Sequence, residues 1–214
     1  MPDKYEVVAG DTLWGIARRY YGDGSLYPAL AAINNLPNPN AIVIGQELLI
    51  PYITYRHQVA AGETKAALAT RYYGDPAMLW PFELSNHVAQ RDIHPGEWLL
   101  MPDLRNAGHH TAVAGETLPE LADRWYGEAR LWPLISLANQ LPDDHVWPGQ
   151  VLNQPRLNRR HTVQPGDTLW GLAQFQYGSN HLPMSVALVA AANHIPDPNR
   201  IDVNQVIFFP SLSP

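Results

Sequence analysis

The stretch GDTLWGIA at residues 10–17 returns as GDTLWGLA at 166–173, and AGETKAALA at 61–69 and AGETLPELA at 114–122 fall between them at nearly even intervals. A phrase recurring with such a period marks a chain built of repeats, each a small supersecondary unit. In the first copy, YEVV at 5–8 alternates as a short strand and Ala9-Gly10 turns out of it. Asp11 and Thr12 are residues that cap helices, and Leu13, Ile16, Ala17 and Tyr20 follow at the spacing of one buried face. Gly22 is expected to end this helix in the left-handed conformation. A second helix is expected to begin at Tyr27-Pro28, since proline suits a first turn, and to run through ALAAIN. NLPNPN is loop chemistry, and AIVIGQELLIP reads as a turn into a second strand that stops before Pro51.

The other copies carry the same punctuation. Tyr73-Gly74, Tyr126-Gly127 and Tyr177-Gly178 match Tyr21-Gly22, while Trp80-Pro81, Trp132-Pro133 and Leu182-Pro183 match Tyr27-Pro28. Asn86, Asn139 and Asn193 end the second helix as Asn35 or its neighbour does; Gly96 and Gly149 repeat Gly45, and Asn204, which tolerates positive φ, takes that place in the last copy. Two strands joined through two helices make a two-stranded antiparallel sheet with both helices on one face. The fold class is therefore α+β, as four tandem βααβ repeats over 5–51, 57–102, 110–155 and 161–210. PYITYR, PDLRNAGH and PRLNRR read as polar linkers, which predicts four separate beads.

Bulk properties exclude several classes. A net charge of −6 argues against wrapping a phosphate backbone, so no nucleic acid is expected as a partner. With 0 cysteines, neither disulfides nor thiolate metal sites are available. The opening MPDKYEVV has no apolar run of signal-peptide length and no later segment has membrane-spanning length, so synthesis in the cytoplasm without membrane insertion is expected.

GDTLW, the V-x-x-G-[DE]-T turn, the asparagine-ended second helix and the closing I-x-x-G-Q-x-L-x-I-P resemble the LysM family. The resemblance is strongest in the first and fourth copies. In the second, Lys65 replaces the usual leucine after threonine, in the third Pro119 enters the first helical turn, and VAQRDIHPGE and LPDDHVWPGQ depart from the commonest second loop. Resemblance to LysM implies a βααβ fold that binds N-acetylglucosamine-containing glycan, peptidoglycan or chitin, in a shallow groove between two loops. Carried onto this chain, the groove residues are Gly10, Asp11, Thr12 and Leu13 with Asn35, Leu36, Pro37 and Ile42, and Gly166, Asp167, Thr168 and Leu169 with Asn193, Ile195, Pro196 and Ile201. A neutral sugar suits such residues, since backbone polar groups and aliphatic contacts serve its hydroxyls and ring faces better than charges do.

Each of these residues also has a plainer role. Gly-Asp-Thr is a turn followed by a helix cap worth about 1 kcal/mol. Trp14 and Trp170 lie off the buried stripe, suited to packing on a neighbour or to stacking on a sugar ring, whereas Trp80 and Trp132 suit a staple or a contact surface. His57, His110 and His161 recur at the start of the first strand as repeat features without ligand spacing, and Asp143-Asp144 reads as a solvated loop pair. No metal and no cofactor is expected. The few residues outside the repeats show no nucleophile, base and orienter, so enzyme activity is set aside. Two functions remain. One is a multivalent glycan-binding array associated with the cell wall after release. The other is an assembly adaptor, because RYYGDPAMLWP and RWYGEARLWP resemble LysM units of phage-tail baseplates and contractile injection particles; its partners would be baseplate or tube proteins.

Overall fold

A computed structural model describes residues 3–212; Met1 and Pro2 of the opening MPDKYEVV lie outside them. The first repeat is β1 (Asp3–Glu6), α1 (Leu13–Tyr21), α2 (Tyr27–Ile33) and β2 (Glu47–Ile50). The second is β3 (Tyr55–Gln58), α3 (Lys65–Tyr73), α4 (Trp80–Asn86) and β4 (Trp98–Met101), and the third is β5 (Asp103–Thr111), α5 (Leu118–Tyr126), α6 (Trp132–Ala138) and β6 (Val151–Arg156). The fourth is β7 (Arg159–Thr162), α7 (Leu169–Tyr177), α8 (Leu182–Ala192) and β8 (Val206–Phe209). In each repeat the two strands pair antiparallel, as Asp3↔Ile50 through Glu6↔Glu47 do in the first.

Local chemistry explains the boundaries. β1 ends before Val8 because the Val8 N–H leaves the ladder for the Asp11 carboxylate (2.9 Å), which shifts the strand two residues earlier than YEVV predicts. Thr12, not Asp11, caps α1, accepting the Gly15 N–H at 3.0 Å. The buried stripe of α1 is Leu13, Ile16, Ala17 and Tyr21 rather than Tyr20, which lies half-buried edge-on to Tyr5. Tyr21 is needed inside: its hydroxyl donates to the Pro51 carbonyl, as Tyr126 does to Pro155 and Tyr177 to Pro210. Gly22 then closes α1 at φ 77°.

One side chain ties each second helix to its second strand. The Asn34 amide donates to the Leu30 and Leu49 carbonyls (2.8 Å each) and accepts the Leu49 N–H at 2.7 Å. Asn86, Asn139 and Asn193 make the same three bonds to Phe82 and Leu100, to Ile135 and Asn153, and to Val189 and Phe208. Asn34 is therefore the equivalent of these three, and Asn35 follows it at φ 50° as His194 follows Asn193 at φ 54°.

The repeats do not stand as four beads. They form two compact units, one of residues up to Ile53 with those from Asn158 on, the other Thr54–Leu157. In the first unit α2 packs on α8, and Leu188 and Ala192 of α8 enter the core of the first repeat. Val186, Val189 and Ala190 meanwhile complete the core of the fourth. A helix that covers two cores needs apolar residues all round, which is what LPMSVALVAAA supplies. In the second unit α4 packs on α6, and Trp80 and Leu84 lie against the core of the third repeat, the contact-surface role expected of Trp80. The expected linkers are structured too. Ile53 joins the core of its unit, Asn158 donates to the Tyr52 carbonyl, and PDLRNAGH is largely strand β5, whose ladder is interrupted where the Asp103 carboxylate takes the Arg105 and Asn106 N–H groups.

Asn34→Ala is expected to destabilise the chain by about 1–3 kcal/mol, because it orphans both polar groups of Leu49. Asn35→Gly should cost far less, since glycine tolerates positive φ. Urea unfolding of the full chain, compared between the two variants, checks the contrast.

Candidate functional site

The two loops of the expected groove meet over one apolar floor. Leu13 from the first loop packs in the same cluster as Leu36 and Ile42 from the second, and Leu169, Ile195 and Ile201 do so in the fourth repeat. Leu13, Leu169 and Ile195 are buried, so their side chains belong to this floor and only their backbone can face a ligand. Gly10, Thr12, Asn35 and Pro37 form an exposed rim in the first repeat, as Gly166, Thr168 and Pro196 do in the fourth. Asn193 does not stand on the rim: its amide is committed to Val189 and Phe208, and His194 occupies the place that Asn35 takes in the first repeat.

The first loop is held by a contact that the sequence signalled only indirectly. Asp11 accepts from the Tyr5 hydroxyl at 2.6 Å and from the Val8 N–H, with Arg19 beside it at 3.5 Å. The recurrent histidines take the place of Tyr5 elsewhere: His57 lies 2.6 Å from Glu63, His110 2.7 Å from Glu116 and His161 2.7 Å from Asp167. These pairs join the first strand to the acid of Gly-Asp/Glu-Thr, which is why the histidines recur without metal-ligand spacing. They also favour the charged carboxylates. The Tyr5 hydroxyl lowers the Asp11 pKa, and the Ala60 and Gln164 N–H groups, then His57 and His161, lower those of Glu63 and Asp167. Glu116, bonded first to His110 and then to the Val113 N–H and Arg124, is held at about 2.

The second loop is shaped by its own turn. In the first repeat Asn38 accepts the Asn40 N–H at 3.0 Å, and in the fourth Asp197 accepts the Asn199 N–H at 2.9 Å. The second repeat differs at the floor. Lys65, in the position of Leu13, donates to Glu83 at 2.8 Å and to the Val88 carbonyl, so its ammonium spans from the first loop to the second. Trp14 packs over Gly24, where the indole leaves no room for a Cβ, with the Arg18 guanidinium 5.3 Å from the ring. Asp143, Asp144 and His145 form an exposed cluster of potential ligands, with the Asp143 carboxylate accepting the His145 N–H as in an ordinary loop turn.

The LysM domain model matches residues 5–51, 110–155 and 161–210. The chain belongs to the LysM domain family. LysM domains bind N-acetylglucosamine-containing glycans. Two Mycobacterium tuberculosis proteins, Esterase MT1326 and Esterase Rv1288, are each 42% identical over 154 residues, 71% of this chain and 33% of theirs. The chain thus spans a third of the length of these relatives. The Secreted LysM effector ECP6 of Passalora fulva is 25% identical over 215 residues, covering 97% of this chain and 77% of that protein. A solved structure, the Bacillus megaterium spore cortex-lytic enzyme SleL, is 31% identical over 49% of this chain and 23% of its own, with a TM-score of 0.26. The two esterases correct the expectation that enzyme activity can be set aside: proteins named for a catalytic activity carry this LysM-containing stretch, and repeats without a nucleophile do not exclude it.

The Glu116 pair makes stability pH-dependent with a defined sign. Its folded pKa of about 2 lies below the ordinary 4.5, so its contribution is fully present above pH 4.5 and is lost as the pH falls through 2. Glu116→Gln is expected to lower the melting temperature at neutral pH and to leave a shallower decline between pH 4.5 and 2. Thermal unfolding across that range checks it.

Proposed function

We propose that the chain docks on a polymer of N-acetylglucosamine-containing glycan, peptidoglycan or chitin, through the grooves of the first and fourth repeats, and so works at a cell wall. The observation that carries this reading is the convergence of Leu13, Leu36 and Ile42 beneath an exposed rim of peptide groups, repeated by Leu169, Ile195 and Ile201. Thr12 and Thr168 hold the first loop rigid through their caps, and a rim already in place binds without an ordering cost. Residues 57–102 we assign to LysM as well, giving repeats over 5–51, 57–102, 110–155 and 161–210; their βααβ order and their Asn86 bonds support this reading. In that second repeat the Lys65 ammonium occupies the gap between the loops, so its part is to support the third repeat rather than to hold sugar.

Single grooves of this kind are shallow, and joining them raises avidity by about 100-fold to 10,000-fold where one polymer engages several. The relatives named above include no tail or baseplate protein, so the adaptor role gains nothing from them. Titration calorimetry with chitin oligomers and a pull-down on peptidoglycan sacculi test the proposal. Binding in either arm is expected and identifies the glycan; folded protein that binds neither refutes it. Lys65→Leu, which removes the bridging ammonium, is expected to add binding capacity for chitin oligomers, read as an increase in stoichiometry by calorimetry.

A further inference from the structure

The two helices that join the first and fourth repeats differ in length: α2 has 7 residues and α8 has 11. The added turn of α8 runs past the end of α2 and lies beside the chain that leaves it, leaving a cleft of about 730 Å³. One wall is Asn35, Leu36 and Pro37, which are also the second loop of the first repeat's groove; the other is His181, Pro183 and Ala187. The volume falls within the roughly 300–1,000 Å³ typical of small-molecule pockets. No charged aspartate, glutamate, lysine or arginine lines it.

Two polar side chains stand in this cleft uncommitted. Asn34 and Asn193 use their amides in the fold and His194 faces Asp23 at 3.4 Å, whereas the side chains of Asn35 and His181 have no hydrogen-bond partner among the described residues. Both are held in the left-handed backbone region, Asn35 at φ 50° and His181 at φ 57°. Proline and alanine walls with an amide and an imidazole between them suit a pyranose: C–H faces meet the apolar walls, and hydroxyl or acetamido groups meet the polar pair.

Resting on the glycan reading above, we propose that this cleft is a further sugar subsite, made jointly by the first and fourth repeats. A glycan chain that lies in the first repeat's groove passes Leu36 and Pro37 and continues into it. The subsite makes binding depend on oligomer length, since a short oligomer is satisfied by the groove and a long one reaches both. Its ligand is the same uncharged N-acetylglucosamine polymer, for which continuity with the groove and the lack of charge both argue.

The test compares the full-length protein with two variants by titration calorimetry, using chitotriose and chitooctaose, after circular dichroism shows each protein folded. Ala187→Trp, at an exposed position of α8, fills the cleft. His181→Gly removes a polar group while tolerating the positive φ. The expected result is that Ala187→Trp loses about tenfold in affinity for chitooctaose and nothing for chitotriose, with a smaller loss of the same kind in His181→Gly. If Ala187→Trp does not fold, the His181→Gly comparison decides alone. Unchanged chitooctaose affinity in the folded variants overturns the cleft and leaves the groove standing. Folded wild-type protein that binds neither oligomer overturns the groove, and the cleft with it.

Discussion

Three hydrogen bonds from one asparagine amide hold each repeat together. A two-stranded sheet is marginal by itself, and its second strand has only one neighbour. Asn34 and its three equivalents join that strand to the end of the second helix, using both faces of a single amide. The chain must then turn at once, so the next residue takes a positive φ: Asn35, His87, Gln140 and His194. The start of the second groove loop is thereby set by the same contact that closes the fold.

The first groove loop depends on a second tie, between the acid of Gly-Asp/Glu-Thr and an aromatic or imidazole side chain on the first strand. The threonine beside it caps the following helix. The carboxylate and the threonine hydroxyl are both committed to hydrogen bonds within the fold, so the free polar groups of the loop are mainly backbone. That suits a neutral polymer and makes rigidity, more than side-chain identity, the property that the loop must keep.

Pairing of repeats divides labour between them. The α2–α8 contact buries Leu188 and Ala192 of the fourth repeat in the core of the first, and leaves both grooves exposed. The α4–α6 contact sets Trp80 against the third repeat, and there His87, Glu128 and Arg130 meet in a charged cluster. The same acid-histidine pairing joins Asp23 to His194 in the first unit, so both contacts use a residue just past the first helix of one repeat and just past the second helix of the other. Repeats of about 46 residues bury little surface alone, and such pairing is how small domains gain a sufficient core.

Much of this was legible in the chain itself. Glycine turns, threonine caps, Tyr-Gly stops and Pro-led second helices act over a few residues, so their spacing alone specified βααβ order and antiparallel sheets. Asn35 was less legible than Asn34 because two adjacent asparagines are equivalent until a strand arrives to bond one of them. Spacing puts Leu13, Leu169 and Ile195 beside the turns of their repeats, but whether a side chain faces solvent or core depends on what packs behind it. Which repeats pair was decided only in three dimensions. The apolar faces of α8 advertise two partners, yet partners distant in the chain are chosen by complementary shape and burial, which no local pattern of residues encodes.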